Sequence, residues 1–146
     1  KVPVFIPKDT PFEIGKALLI REGTDVSIFA TGHLVWEAVE AAQELAKEGL
    51  SIELINIHTI KPLDKESILS SVAKTKCVVT AEEHQVAGGM GESIAQLLAN
   101  NHPVPMEFVA VNDKFGESGK PADLMKKYGL HSSDIIKATH SVLKRK

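Results

Sequence analysis

The chain has one cysteine, one tryptophan and one tyrosine in 146 residues, and its net charge is only −2. A lone Cys77 excludes a disulfide within the chain. With Val78 and Val79 beside it, it reads as a buried strand thiol rather than a nucleophile. A reducing cytoplasm is the expected setting. The charge leaves no electrostatic footprint for nucleic acid, since no basic run exceeds Lys144-Arg145-Lys146. No apolar stretch approaches the roughly 20 residues that cross a bilayer as a helix. The first residues have neither the charged start nor the apolar run of a signal peptide. No His-Glu-x-x-His occurs, and no Gly-Lys-Ser or Gly-Lys-Thr closes a phosphate loop. Lys1 stands first and methionine is confined to positions 90, 106 and 125, so the expectation is a trimmed chain or a domain cut from a longer one.

What is present is ordinary for a globular protein: 43% hydrophobic and 25% charged residues. A chain of this length forms one domain and buries roughly 70% of its unfolded surface. Pro3, Pro7 and Pro11 fix φ and remove donors at the start, so residues 1–13 read as an extended interdomain linker arm and 14–146 as the domain.

Along the domain, strand and helix patterns alternate. Residues 17–20 and 25–30 are apolar runs around Gly23 and resemble a hairpin. A helix follows with Leu34, Val35, Ala38, Ala42, Leu45 and Ala46 on one face and Gly49 to stop it. Residues 51–57 form the next strand, and Pro62 and Asp64 open a helix carrying Ile68, Leu69 and Val72. Residues 77–81 are almost wholly apolar, as a strand buried on both faces requires. Ile94, Leu97 and Leu98 mark a helix from Met90, ended by Asn100-Asn101-His102-Pro103 before a strand at 106–111. After a polar loop, Pro121 suits a first helical position and Gly129 the residue past that helix. Ser132 or Ser133 is placed to cap the last helix, which carries Ile135, Ile136 and Val142. Strands joined by helices imply parallel pairing with right-handed crossovers. The fold expected is a three-layer α/β/α domain around about five mostly parallel strands, with one antiparallel edge strand from the hairpin.

This order places His33, His58 and the run Glu82-Glu83-His84 at strand exits, where open α/β sheets meet ligands and partners. The turn with Gly88, Gly89 and Gly91 precedes a helix, whose first N–H groups favour anions. The run Gly89-Met90-Gly91-Glu92-Ser93-Ile94 ends in isoleucine and follows the wrong strand for a dinucleotide fingerprint. Glu92 also puts negative charge where a phosphate would sit. These residues (His33, His58, Glu82, Glu83, His84, Gly88, Gly89 and Gly91) are the candidate site, for an anionic effector or for docking. No catalytic, cofactor-binding or metal-ligating residue is assigned.

Four stretches together resemble the C-terminal domain of transketolase over nearly the whole chain. They are Thr59-Ile60-Lys61-Pro62-Leu63-Asp64; Glu82-Glu83-His84 with Gly88-Gly89-Met90-Gly91-Glu92; Ala110-Val111-Asn112 with Ser118-Gly119-Lys120-Pro121-Ala122-Asp123-Leu124; and Tyr128-Gly129-Leu130 leading to Asp134-Ile135. Phe12-Glu13-Ile14-Gly15-Lys16-Ala17 resembles the approach to that domain from the pyrimidine-binding one. Related thiamine enzymes, 1-deoxyxylulose-5-phosphate synthase and the β subunits of 2-oxo acid dehydrogenases, share the middle motifs. Ser-Gly-Lys-Pro-Ala in this form favours transketolase. The resemblance implies transfer of two-carbon ketol units between sugar phosphates, with thiamine diphosphate and Mg²⁺ bound by the other domains and none in this chain. It implies the N-terminal and middle domains as partners, on the same chain or a separate subunit, with homodimer contacts. The alternative is an anion- or nucleotide-binding regulatory module.

Overall fold

The computed structural model describes residues 3–146. Lys1 and Val2 of the expected arm lie outside the described residues. The elements are β1 (Leu18–Arg21), β2 (Val26–Ala30), α1 (Leu34–Lys47), β3 (Ile52–Asn56), α2 (Lys65–Thr75), β4 (Val78–Gln85), α3 (Met90–Asn101), β5 (Met106–Val111), α4 (Pro121–Tyr128) and α5 (Ser132–Leu143). They build one sheet of five strands in the order β1-β3-β2-β4-β5. The β3–β2, β2–β4 and β4–β5 pairs are parallel, and β1 lies antiparallel on β3.

Strand alternation sorts the core into two halves. Val26, Ile28 and Ala30 of β2 join Ile52 and Leu54 of β3 under Leu34 and Leu45 of α1 and Ile135 and Val142 of α5. Phe29, Ile55 and Val78 face the other way, against Ile68 and Val72 of α2 and Ile94 and Leu98 of α3. The three-layer α/β/α arrangement follows. Ser27 points into the second half and would be a costly buried hydroxyl there without a partner. It meets Ser71 Oγ at 2.6 Å and Thr75 Oγ1 at 2.5 Å, so α2 supplies the partners.

Three expectations need correction. β1 and β2 are not a hairpin, because β3 lies between them. The connection at Gly23 crosses the start of β3, where the amides of Thr24 and Asp25 both donate to the Ser51 carbonyl. The edge strand is antiparallel as expected, but to β3. Second, β4 does not end at Ala81 but runs on to Gln85. Its pairing passes from Ala81↔Val109 to Gln85↔Val111, so Glu82, Glu83 and His84 bulge opposite Ala110. Third, neither serine caps α5. His131 holds the N-cap position, and Ser132 N–H donates to the Glu37 carboxylate of α1 at 2.7 Å. A carboxylate from another helix thus shares the capping task with Asp134, whose side chain accepts from His131 N–H at 3.3 Å.

Other boundaries fall where local chemistry puts them. Gly49 (φ +86°) and Gly129 (φ +69°) end α1 and α4 in the left-handed conformation. Asp64 caps α2 by accepting from Ser67 N–H at 3.1 Å, and its other oxygen accepts from Ala17 N–H at 2.8 Å. Burial pushes this carboxyl up. The amide of Ala17, the hydroxyl and amide of Ser67 and the Lys16 charge outweigh burial and leave it below the usual carboxylate range. A depressed carboxyl stabilises the fold above its unfolded pKa, and that contribution is lost as pH falls through the folded value. Asp64→Ala is therefore expected to cost about 1–2 kcal/mol near pH 6, in the range of a lost cap. In urea titrations the gap from wild type should narrow below about pH 4, the unfolded value for aspartate.

Cys77 is wholly buried just before β4, as the strand reading required, and its thiol donates to the Asp25 carbonyl at 3.3 Å. Burial pushes this thiol up, which suppresses the reactive thiolate. Maleimide is expected to label Cys77 only at the rate of unfolding; fast labelling of native protein would contradict the packing.

Residues 3–17 carry neither helix nor strand. The arm rests on the domain through Phe5 against Trp36, with ring centroids 5.3 Å apart, and Phe12 against His58 at 4.4 Å.

Candidate functional site

The site is built where β2, β3 and β4 end. Gly32 turns the chain at φ +60°, and His33 follows at the N-cap of α1 without a side-chain cap bond. On β4, Glu82 keeps the alternation of Val78 and Thr80 and points toward α3. Its carboxylate is 2% exposed and accepts from Met90 N–H and Gly91 N–H, each at 2.7 Å. Charge-assisted bonds of this kind sit where the partial positive charge of a helix N-terminus is greatest. Gly89 leaves room for this carboxylate, since a Cβ there would lie 2.4 Å from Glu82 Oε2 and push it off the two amides. The turn is closed a second time, because the Glu92 carboxylate accepts from Gly88 N–H.

A cleft of about 300 Å³ gathers His33, Glu82, Glu83, His84, Gly88 and Gly89, together with Ile60. Two of the candidate residues are not on its wall. Gly91 packs inward, where a Cβ would meet Thr80 Oγ1 at 2.6 Å and Phe108 at 2.8 Å. His58 lines a neighbouring cleft of about 380 Å³ with Phe5, Trp36 and Asn56, and His33 borders both. The His58 Nδ1 lies 3.2 Å from Thr59 Oγ1, and His84 Nδ1 donates to the Gln85 carbonyl at 2.9 Å. The histidines are thus spread along one edge rather than converged on one point. Among the described residues no group of three or more His, Cys, Asp or Glu side chains is placed to hold a metal ion.

Sequence reasoning missed a third cleft of about 550 Å³, where His33 and Glu83 meet Glu37, Lys120 and His131. Glu37 Oε2 lies 3.4 Å from His131 Nδ1 and also receives Ser132 N–H, which ties α1 to the start of α5. Its signal was available. Glu37 stands one helical turn from Leu34 and Ala41, an acid on the apolar stripe of α1.

Fold and site thus define a mixed α/β domain whose most inviting helix N-terminus is closed by its own carboxylates. The chain belongs to the family described as the transketolase C-terminal domain, whose model matches residues 15–135. It is 50% identical over 135 residues to the 6-deoxy-6-sulfo-D-fructose transketolase subunit SqwH of Clostridium sp. (strain MSTE9), covering 92% of this chain and 42% of that protein. It is 38% identical over 139 residues to a putative transketolase C-terminal section of Methanocaldococcus jannaschii, covering 94% and 43%. A 1-deoxy-D-xylulose-5-phosphate synthase of Geobacter sulfurreducens is 37% identical over 135 residues, covering 91% of this chain and 21% of the synthase. Among solved structures, a split-gene transketolase described as an inactive β4 tetramer superposes with a TM-score of 0.95. Its identity is 41%, over 99% of this chain and 48% of that one. The chain therefore spans less than half the length of these transketolase relatives. The resemblance read from the four motifs holds, and so does the fold it implied.

Proposed function

We propose that this domain serves assembly in a transketolase, which moves a two-carbon ketol unit between sugar phosphates, and that it takes no direct part in the chemistry. The observation that carries this reading is the Glu82 carboxylate on the amides of Met90 and Gly91. Thiamine diphosphate needs a cradle of free N–H donors and a divalent cation held by carboxylates or amides. The donors at this turn already have acidic partners, and a diphosphate brought there would face Glu82 and Glu92 at close range. The residues do not fit that cofactor. We assign thiamine diphosphate and Mg²⁺ to other domains of the enzyme. The same geometry weighs against the anion- or nucleotide-binding module. His33, His58, Glu83 and His84 then belong to a docking edge facing the N-terminal and middle domains or a second copy in a homodimer. A cytoplasmic pentose phosphate pathway enzyme suits a chain with one free thiol.

The test is ketol transfer from xylulose 5-phosphate to ribose 5-phosphate, with thiamine diphosphate and magnesium supplied. The 50% identity to a sulfofructose transketolase subunit favours a second donor, 6-deoxy-6-sulfo-D-fructose, in a parallel assay. Activity is expected from the complete assembly with one of these donors and none from residues 1–146 alone. Turnover by residues 1–146 alone, or an undiminished rate after they are deleted from the assembly, would overturn the proposal.

A further inference from the structure

We infer that the apolar patch formed by Phe12, Ile14 and Ile60 is the seat of the transketolase domain that precedes this one. The inference rests on the reading above, that the chain is one domain of a larger enzyme, and adds where that enzyme is joined. The incoming arm is held against residues 58–64 at three points that advance together along both segments. Phe12 stacks on His58, with ring centroids 4.4 Å apart. Gly15 approaches Pro62 so closely that a Cβ would lie 3.1 Å from Pro62 Cγ. Ala17 N–H donates to Asp64 Oδ2 at 2.8 Å. The two segments run side by side in the same direction, and Ile14 and Ile60 lie on them between the first two points.

The patch stays open to water in spite of this. Phe12 is 70% exposed, Ile14 73% and Ile60 43%. Single exposed apolar side chains are ordinary, whereas several on two segments held against each other favour an interface. Glu13, Lys16 and Lys61, next to these residues in the chain, are exposed, and charged neighbours of this kind suit the rim of a docking surface. The occupant follows from what the patch is made of. Ile60 lies well inside the domain, Phe12 in the connecting arm and Ile14 at their boundary, the last two just before residue 15, where the family match begins. A surface assembled from both the connecting arm and the domain lies at the joint between the domain and what the arm connects. More than half of each transketolase relative named above lies outside the region this chain matches, which leaves ample polypeptide to fill it.

The experiment uses the complete polypeptide in its assembled enzyme, with the photo-crosslinker p-benzoylphenylalanine at position 12 or 60. A mixture of light and heavy isotopic chains separates bonds within one polypeptide from bonds between two. Crosslinks from both positions to the preceding domain of the same polypeptide are expected. Crosslinks to a second copy of this domain, to another subunit, or to nothing would overturn the inference. As an independent measure, Ile60→Cys should react with maleimide at least about tenfold more slowly than an unstructured cysteine peptide, because access governs thiol reactivity. Labelling at the peptide's rate would overturn it equally. Ketol transfer by the unmodified assembly separates the two failures. An active enzyme with an open patch sinks only the docking surface, and an inactive one sinks the transketolase reading itself.

Discussion

Gly23→Ala is expected to be among the most damaging single-methyl additions in this domain, costing about 4 kcal/mol or more, beyond the usual range for overpacking. A Cβ at this position would lie 2.1 Å from the Ile52 carbonyl carbon and 2.3 Å from Glu53 N. Both are backbone atoms of β3, so no side-chain rotation relieves the clash. Relief requires lifting the 22–25 crossing away from β3, which breaks the bonds from Thr24 and Asp25 to Ser51 and loosens β1. Gly116→Ala is the control, because nothing lies within 4 Å of the added methyl group. It should change stability by no more than about 0.5 kcal/mol. Urea unfolding of the two variants, with hydrogen exchange at β1, measures the contrast. A Gly23→Ala midpoint matching that of Gly116→Ala would show that the crossing yields cheaply.

The same glycine explains why this stretch reads as a hairpin. Two apolar runs separated by a short glycine-containing segment look alike whether they pair with each other or straddle a third strand. Only β3, some 30 residues on, settles the question, and its pairing with β1 is a non-local contact that leaves no mark in the local pattern. What the sequence made legible was local. The stripe of α1, the Asp64 cap, Pro121 at the start of α4 and the left-handed Gly49 and Gly129 all act over a few residues. The extension of β4 was hidden for the opposite reason. Glu82, Glu83 and His84 are polar and read as loop, yet pairing resumes at Gln85 because Val86 N–H reaches the Val111 carbonyl at 2.9 Å.

At the site, strand alternation separates two neighbours that the sequence groups at one strand exit. Both Glu82 and Glu83 read as strand-exit carboxylates in sequence, although alternation along β4 separates them. Glu82 is in phase with Val78 and Thr80 and lies under α3, while Glu83 reaches the cleft with Lys120 and His131. Extending the strand period by one residue would have buried Glu82 in advance. His131 and Lys120 were beyond such reasoning, since α4 and α5 carry them to His33 from some 90 residues away.

Glu82 therefore supports the second large prediction. Glu82→Ala leaves the amides of Met90 and Gly91 buried without acceptors and opens a void beside Gly89, at an expected cost of about 3–5 kcal/mol. Glu82→Gln keeps the shape but offers one acceptor and one N–H group to two donors, so about 2–3 kcal/mol should be lost. Glu83→Gln, on an exposed side chain, should stay within about 0.5 kcal/mol of wild type. Denaturant midpoints order the three variants. A rescue experiment then isolates the cause. In Glu82→Ala the two amides are free for the first time, so formate should raise the melting temperature of this variant while leaving wild type unmoved. Rescue would show that an internal carboxylate fills a place shaped for an anion, the role proposed for Glu82 at this turn. If Glu82→Gln melted with Glu83→Gln, the helix start would be held by packing alone. The amides of Met90 and Gly91 would again be open to an external anion.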